Sequence, residues 1–223
     1  MKSEFLKTTN CSGKEEISSK DYFKKENILY LIKSKHPEFF EKFDLLEYLN
    51  RGSAGFVYRG IFKGKTKKQI ALKFFINKKG KKDLSENEIR EINLSKKIHH
   101  KNIIETFGFY KSPDINYSVL EYGKYGDMEF FLRNLIKRLF LSETALNYFS
   151  FQILESLQYI HKCKIIHMDI KPTNILINTN LEVKIADFSI SCSYANFAPN
   201  DIVKLPCVGT GAFYLLKSYP EPL

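Results

Sequence analysis

The sequence KIIHMDIKPTNILI, residues 164–177, decides the fold. It brings Asp169, Lys171 and Asn174 into six residues and flanks them with core-forming isoleucines. We expect these polar residues to lie on a loop between a long helix and a short strand. There an aspartate can accept a hydroxyl proton, a lysine can neutralise a transferring phosphoryl group, and an asparagine can offer an oxygen to a hard cation. A polar turn capped by His167 and Asp169 is the alternative interpretation.

The segments on either side of this loop have clear periodicities. Residues 142–162 indicate a long helix whose apolar side chains form one stripe: Leu146, Phe149, Ile153, Leu157 and Ile160. After the loop, ILI and EVKIA indicate two short strands joined by the turn NTN. Asp187 follows the second strand, 13 residues after Asn174. Because a hairpin of this length returns the chain beside its start, we expect both oxygen ligands to reach one Mg²⁺ ion.

The first half of the chain is rich in strands. Three strand-like runs joined by short turns predict an antiparallel sheet: FDLLEYLN (43–50), GFVYRGIF (55–62) and QIALKFFI (69–76). The sequence SENEIREINLSKKI then predicts a helix, and a capping box of Ser85 and Glu88 fixes its start. A strand-rich half followed by a helix-rich half indicates an α+β chain in two lobes.

Lys73 stands in the middle of an apolar strand, where a charge is costly unless it is paired. Glu91 lies beside the apolar stripe of the capped helix, so an ion pair with Lys73 would explain both positions. Glu88 is a competing partner, but it already caps the helix. The alternative is that Lys73 faces outward to solvent.

Gly52 and Gly55 lie in a turn between two strands, where backbone N–H groups could face phosphate. A plain hairpin turn also uses glycine.

Composition narrows the class of protein. The chain has 223 residues and a net charge of +10, but nine lysines and no acidic residue lie between Lys63 and Lys82. We interpret these as solvated loop lysines, so nucleic acid is not favoured as a partner. No apolar run approaches the ~18 residues of a membrane span, and the N-terminus lacks the core of a signal peptide. The cysteines have no CxxC spacing, which indicates a reduced intracellular protein in the cytoplasm or nucleus.

Several motifs resemble those of the eukaryotic protein kinases. HMDIKPTN resembles the catalytic loop HRDxKxxN, IALK resembles the VAIK strand, and ADF resembles the start of DFG. The spacings agree from about residue 44 to about residue 210. The resemblance implies a two-lobe kinase fold of the serine/threonine type. An extension at 1–43, with a short helix near 26–34, would precede an antiparallel-sheet lobe at 44–122 and a helical, incomplete lobe at 123–223.

The resemblance also implies roles for the loop residues. Asp169 would be the catalytic base toward a serine or threonine hydroxyl of a protein substrate. Lys171 would support the γ-phosphate of ATP and is the residue found here in serine/threonine kinases. Asn174 and Asp187 would hold Mg²⁺.

A nucleotide site is implied in the same way. Lys73 would hold the α- and β-phosphates and Glu91 would orient it. Leu120 would gate the adenine pocket. The remaining residues that the resemblance assigns to ATP are two with hinge backbone groups (Glu121 and Gly123), one at the ribose (Asp127), four at the adenine ring (Val57, Ala71, Met128 and Leu176) and two in the glycine turn (Gly52 and Gly55).

The chain also departs from the family pattern. Asn50 replaces the first glycine of the glycine-rich loop, Ser189 replaces the glycine of DFG, and Met168 replaces the arginine that would bind a phosphorylated activation loop. Ser95 and Thr106 stand where the family stacks apolar side chains. The pattern is lost soon after residue 210, so we expect an incomplete helical lobe with less cover on the apolar stripe of the long helix.

Three functions are compatible with these features. The first is transfer of the γ-phosphate of Mg²⁺-ATP to serine or threonine of proteins. The second is a pseudokinase-like module that binds nucleotide and regulates a partner, or an inactive fragment; Ser189 and the missing helices favour it. The third, a small-molecule phosphotransferase of similar fold, is disfavoured by Lys171 and the glycine-bearing turn. The sequence assigns no oligomeric state.

Overall fold

The computed structural model describes residues 25–51, 55–75, 84–111, 115–136 and 142–195. Within these ranges a five-stranded antiparallel sheet has the order β1-β2-β3-β5-β4. Its strands are β1 (Phe43–Arg51), β2 (Gly55–Phe62), β3 (Lys68–Phe75), β4 (Thr106–Lys111) and β5 (Asn116–Glu121). The predicted antiparallel pairing of the first three strands is therefore confirmed.

Strand β3 is buried on both of its faces, because successive side chains of a strand point in opposite directions. Ile70, Leu72 and Phe74 belong to an apolar core on one side of the sheet. Ala71 and Lys73, between them in the sequence, line a cleft on the other side. The strand that carries Lys73 is thus held by the core behind it.

Two short helices before the sheet cover that core. They are α1 (Lys25–Lys35), at the position predicted for a short helix, and α2 (Phe39–Lys42). Ile32 and Phe39 are buried in the same cluster as Phe74. The ring of Phe39 lies 5.2 Å from that of Phe43 and 5.4 Å from that of Tyr117, measured between centroids. We call residues 25–42 the N-terminal cap.

Helix α3 (Glu86–Ser95) begins where the sequence predicts. The hydroxyl of Ser85 accepts a hydrogen bond from the backbone N–H of Glu88 at 3.4 Å, and the Ser85 N–H donates to the Glu88 carboxylate at 2.6 Å. This reciprocal pair is a capping box, which satisfies two N–H groups that a helix start leaves open. Glu88 is thereby occupied, and Glu91, one turn later, is the carboxylate at the cleft.

The second half of the chain contains helices and short strands. Its elements are α4 (Met128–Ile136), α5 (Glu143–Lys162), β6 (Ile165–Ile166), a 3₁₀ turn (Pro172–Asn174), β7 (Ile175–Ile177), β8 (Val183–Ile185) and β9 (Cys192–Ser193). The predicted hairpin is β7–β8, in which Ile175 pairs with Ile185. No helix in the described ranges is both long and apolar enough to cross a membrane.

Helix α5 differs from its predicted burial at one position. Phe149 and Ile160 are buried, and Ile153 and Leu157 pack against the core clusters. Leu146 is exposed, so the predicted stripe is wrong at its first member, where the helix has only just begun. The large apolar side chains that lack cover lie on a different face of the helix: Tyr148, Phe151 and Leu154.

Removing the aromatic ring at the centre of the N-terminal cap should destabilise the protein. We expect Phe39→Ala to lower the free energy of unfolding by about 3 kcal/mol, because it leaves a cavity among aromatic rings. Tyr30→Ala, on a side chain of α1 that is 75% exposed, should change it by less than about 0.5 kcal/mol. Urea unfolding of the full chain measures both, and equal effects would show that the cap does not pack on the sheet.

Candidate active site

A cleft of about 890 Å³ separates the sheet from the helical half of the chain. Both halves contribute to its walls. Most residues that the sequence assigns to the site line it: Val57, Ala71, Lys73, Glu91, Leu120, Glu121, Gly123, Asp127, Asn174, Leu176 and Asp187.

The predicted ion pair between Lys73 and Glu91 is present. The Lys73 ammonium group contacts the Glu91 carboxylate directly, and the two side chains are only 7% and 13% exposed. Burial by itself would lower the pKa of Lys73, but the carboxylates of Glu91 and Asp187 outweigh it and raise that pKa. The lysine is therefore a fixed positive charge that faces the cleft.

The β7–β8 hairpin brings Asn174 and Asp187 together. The backbone N–H of Ala186 donates to the carbonyl of Asn174 at 2.9 Å, which places the next residue, Asp187, beside it. Asp187 has φ = +65°, a left-handed conformation that aspartate tolerates better than most residues. Burial opposes ionisation of Asp187, but Lys73 and hydrogen bonds from Ser189 lower its pKa. Its carboxylate is therefore ionised at neutral pH.

In the loop between β6 and β7, the side chains of Lys171 and Asn174 both contact Asp169. The Lys171 ammonium group lies 2.7 Å from the Asp169 carboxylate. The amide nitrogen of Asn174 donates to the Asp169 carbonyl and carboxylate, each at 2.9 Å. These bonds use the nitrogen of Asn174, so its oxygen points elsewhere. An amide oxygen and a carboxylate, which Asn174 and Asp187 would offer, are donors that suit a hard cation such as Mg²⁺.

His167 connects this loop to the end of β8. The backbone N–H of Asp169 donates to His167 Nδ1 at 3.3 Å, so the other ring nitrogen, Nε2, carries the proton and donates to the Ala186 carbonyl at 3.1 Å. Burial lowers the pKa of His167, which keeps the ring in this neutral form. Met168 follows with φ = +69°, a strained conformation for a residue other than glycine. The hydrogen bonds of the His167 ring thus join the Asp169 loop to the end of β8, next to Asp187.

The opposite end of the cleft is narrow. A Cβ atom on Gly123 would lie 2.9 Å from Cβ of Leu176, so only glycine allows the segment after β5 to approach β7 this closely. Glu121 lines the cleft and pairs through its carboxylate with Lys184 at 2.9 Å, while its backbone N–H donates to the Glu105 carbonyl at 2.9 Å. One oxygen of Asp127 accepts the Phe130 N–H at 2.8 Å, at the start of α4. Any ribose contact of Asp127 would use the other oxygen.

A few assigned residues lie elsewhere. Met128 is buried in the core with Phe149 and Ile175 and does not line the cleft. Gly55 has a packing reason, since a Cβ atom there would lie 1.9 Å from the carbonyl oxygen of Phe74. Gly52 lies outside the described residues. Asp169 and Lys171 do not line the cleft, whereas Thr173 and Asn174 of the same loop do.

Several residues that line the cleft were not predicted from the sequence to belong to the site. Phe130, Phe131 and Asn134 line it from α4, and helical spacing alone was the available signal. Ser95 and Thr106, identified only as departures from the family, also line it. The Thr106 hydroxyl oxygen is buried without a hydrogen-bond partner among the described residues. A buried hydroxyl that lacks a hydrogen-bond partner costs free energy in the folded state.

Comparison with known proteins identifies the family. A sequence model of the family described as the protein kinase domain matches residues 43–213. The chain therefore belongs to the protein kinase family. It is 33% identical over 155 residues to extracellular signal-regulated kinase 2 of Dictyostelium discoideum, a match that covers 68% of this chain and 40% of the relative. It is 33% identical over 180 residues to Aurora kinase of Yarrowia lipolytica, covering 74% and 46%. The chain thus spans less than half the length of these relatives.

Neutralising the partner of Lys73 should weaken the phosphate site. We expect Glu91→Gln to raise the Kd for Mg²⁺-ATP about tenfold and Lys73→Met to raise it further, because the buried lysine loses its orientation or its charge. Glu88→Gln is the matched control, because glutamine preserves a capping box on the same helix. Calorimetric titration of the folded variants measures each Kd. An effect of Glu88→Gln as large as that of Glu91→Gln would contradict the assignment.

Proposed function

We propose that this chain binds ATP with Mg²⁺ and transfers the γ-phosphoryl group to serine or threonine hydroxyls of proteins. The observation that carries the proposal is that Lys73, Asn174 and Asp187 line one cleft, and that the Asn174 side chain also donates a hydrogen bond to the Asp169 carboxylate. The ammonium group complements the negative phosphates of a nucleoside triphosphate, and the carboxylate and the amide oxygen complement its metal ion. The matches to serine/threonine protein kinases support the same acceptor class.

Binding of the nucleotide would use both ends of the cleft. The apolar side chains of Val57, Ala71 and Leu176 would enclose the adenine ring, and backbone groups near Glu121 and Gly123 would hydrogen-bond its edge. Lys73, fixed by Glu91, would hold the α- and β-phosphates. Asn174 and Asp187 would hold Mg²⁺, which when bound neutralises charge on the phosphates.

Transfer would depend on the Asp169 loop. The Asp169 carboxylate would orient the acceptor hydroxyl and accept its proton as the oxygen attacks phosphorus. Lys171, 2.7 Å from that carboxylate, would move its positive charge toward the γ-phosphate. The bond from phosphorus to the bridging oxygen breaks, and ADP carries away the negative charge. Positioning and charge neutralisation would supply most of the rate.

A nucleotide-binding regulatory module is the second candidate. The polar residues Ser95 and Thr106 favour it, because they line the cleft at positions where the family stacks apolar side chains, and the buried Thr106 hydroxyl has no partner among the described residues. Such a module would bind nucleotide through Lys73 and transfer nothing. For either function we assign an intracellular setting, cytoplasmic or nuclear, which the free thiols of Cys163 and Cys192 support.

Two aspartate variants separate binding from transfer. Asp187→Asn should raise the Kd for ATP in the presence of Mg²⁺ at least about tenfold and change the Kd without Mg²⁺ much less, because the carboxylate that would hold the metal is lost while Glu91 still pairs with Lys73. Asp169→Asn should bind normally and transfer about 10²–10⁴-fold more slowly, because the base is lost.

The assay follows the transfer of radiolabel from ATP into two peptide pools. In one pool the only acceptors are serine and threonine, and in the other the only acceptor is tyrosine. Label in the serine and threonine pool that depends on Asp169 supports the proposal. Binding of nucleotide without label in either pool would establish the regulatory module instead. Failure of the wild type to bind Mg²⁺-ATP at all would overturn both.

A further inference from the structure

The position that follows Phe188 holds a serine where the family pattern has glycine. Ser189 is 4% exposed and lies in the turn after the metal-ligand candidate Asp187. Asp187 itself has a positive φ, but Ser189 is not among the described residues that do. Its backbone conformation is therefore open to residues other than glycine, and the serine is not strained. Some other property of serine must matter at this position.

Ser189 hydrogen-bonds the Asp187 carboxylate in two ways. Its backbone N–H donates to Oδ1 of Asp187 at 3.4 Å. Its side chain makes a further hydrogen bond to the same carboxylate. In this bond the hydroxyl donates and the carboxylate accepts, so glycine could not make it. A carboxylate has about four lone-pair sites, so two such bonds leave sites open for a cation.

The backbone on both sides of Ser189 is held by other contacts. Before it, the Ala186 N–H donates to the Asn174 carbonyl. After it, the N–H and the hydroxyl of Ser191 both donate to the Phe188 carbonyl. The buried ring of Phe188 lies 4.7 Å from the His167 ring. The freedom that remains beside the metal site is rotation of the Asp187 side chain, which the bonds from Ser189 restrict.

A competing charge makes this restriction important. The Lys73 ammonium group attracts the Asp187 carboxylate electrostatically. A carboxylate with no other bond would be free to turn toward that ammonium group, whereas a metal ligand must direct a lone pair at the cation. The hydrogen bonds from Ser189 oppose this rotation. Lys73 still has Glu91, with which it is in direct contact, as its partner.

We propose that Ser189 is a positioning residue for the metal site, and that its hydroxyl holds the Asp187 carboxylate in the orientation that receives Mg²⁺. Residues that hydrogen-bond a metal ligand contribute about 10–100-fold to metal affinity. The serine that departs from the family pattern therefore strengthens this site. The effect on Mg²⁺-ATP binding rests on the proposed function, but the ordering of the Asp187 side chain does not.

Three variants separate the hydroxyl from the backbone. Ser189→Ala removes the hydroxyl and keeps Cβ. Ser189→Gly restores the residue of the family pattern and also frees the backbone. Ser191→Ala is the matched control, because it removes another buried serine hydroxyl, one that bonds the Phe188 carbonyl and not the metal ligand. Urea unfolding of the full chain establishes that each variant is folded.

Amide hydrogen exchange of the nucleotide-free full chain is measured first, residue by residue. Ser189→Ala should accelerate exchange of the residue 189 amide about tenfold beyond its intrinsic change, because the carboxylate that accepts this N–H is no longer held. Exchange in β2 and β3 should stay the same, and Ser191→Ala should leave the residue 189 amide unchanged. No acceleration in Ser189→Ala, or an equal acceleration in Ser191→Ala, would overturn the proposal.

Calorimetric titration then measures the Kd for ATP with and without Mg²⁺. Ser189→Ala should raise the Kd with Mg²⁺ about tenfold and change the Kd without Mg²⁺ much less, because the metal ligand has lost a hydrogen-bond partner. Ser189→Gly should raise it at least as much, and Ser191→Ala should leave it near the wild-type value. If this position instead needed the freedom of glycine, Ser189→Gly would bind Mg²⁺-ATP more tightly than wild type. That result would overturn the proposal.

Failure of the inference and failure of the proposed function give different results. If wild type does not bind Mg²⁺-ATP, the proposed function fails, and amide exchange alone decides whether Ser189 orders Asp187. If wild type binds and Ser189→Ala binds equally well, the proposed function stands and the inference is wrong. If Ser189→Ala does not fold, Ser189→Gly takes its place in both measurements with the same expected direction.

Discussion

A lysine ammonium group buried between carboxylates imposes the main constraint on this molecule. Lys73 contacts Glu91 and is held charged by Glu91 and Asp187, and the three residues come from β3, α3 and the end of β8. A buried charge that loses its partner costs several kcal/mol. The sheet, the capped helix and the hairpin must therefore meet in one arrangement. The packing and hydrogen bonds that hold each element keep these three charged groups together.

Each of the three elements has its own support. Aromatic rings of the N-terminal cap back β3 from the side opposite the cleft, and Phe39 lies 6.3 Å from Phe74, the neighbour of Lys73. A capping box fixes the start of α3, and a buried hydrogen bond between the side-chain amides of Asn102 and Gln152 anchors the loop after its end. The charges at the cleft are thus preorganised by packing and hydrogen bonds outside it, which is how a folded site stabilises transferring charge at low reorganisation cost.

Local rules explain what the sequence predicts. The capping box, the β7–β8 hairpin and the pairing of Lys73 with Glu91 follow from short-range spacing and from the cost of an unpaired buried charge. Long-range packing explains what it misses. The amide pair joins residues 50 positions apart, and the cap depends on aromatic contacts between segments that no periodicity relates. Leu146 and Met128 show the same limit. Leu146 is apolar and was predicted to be buried, but it is exposed. Met128 was predicted to contact the adenine ring, but it packs in the core.

We propose that Lys73, Asn174 and Asp187 form one site for a metal-bound nucleotide. Nuclear magnetic resonance of the full chain tests it when Mn²⁺ replaces Mg²⁺ together with a non-hydrolysable ATP analogue. Paramagnetic broadening should remove the amide signals of residues 173–175 and 186–188, while signals from α1 persist. Broadening that is absent from both segments, or that is centred on another part of the chain, would contradict the claim.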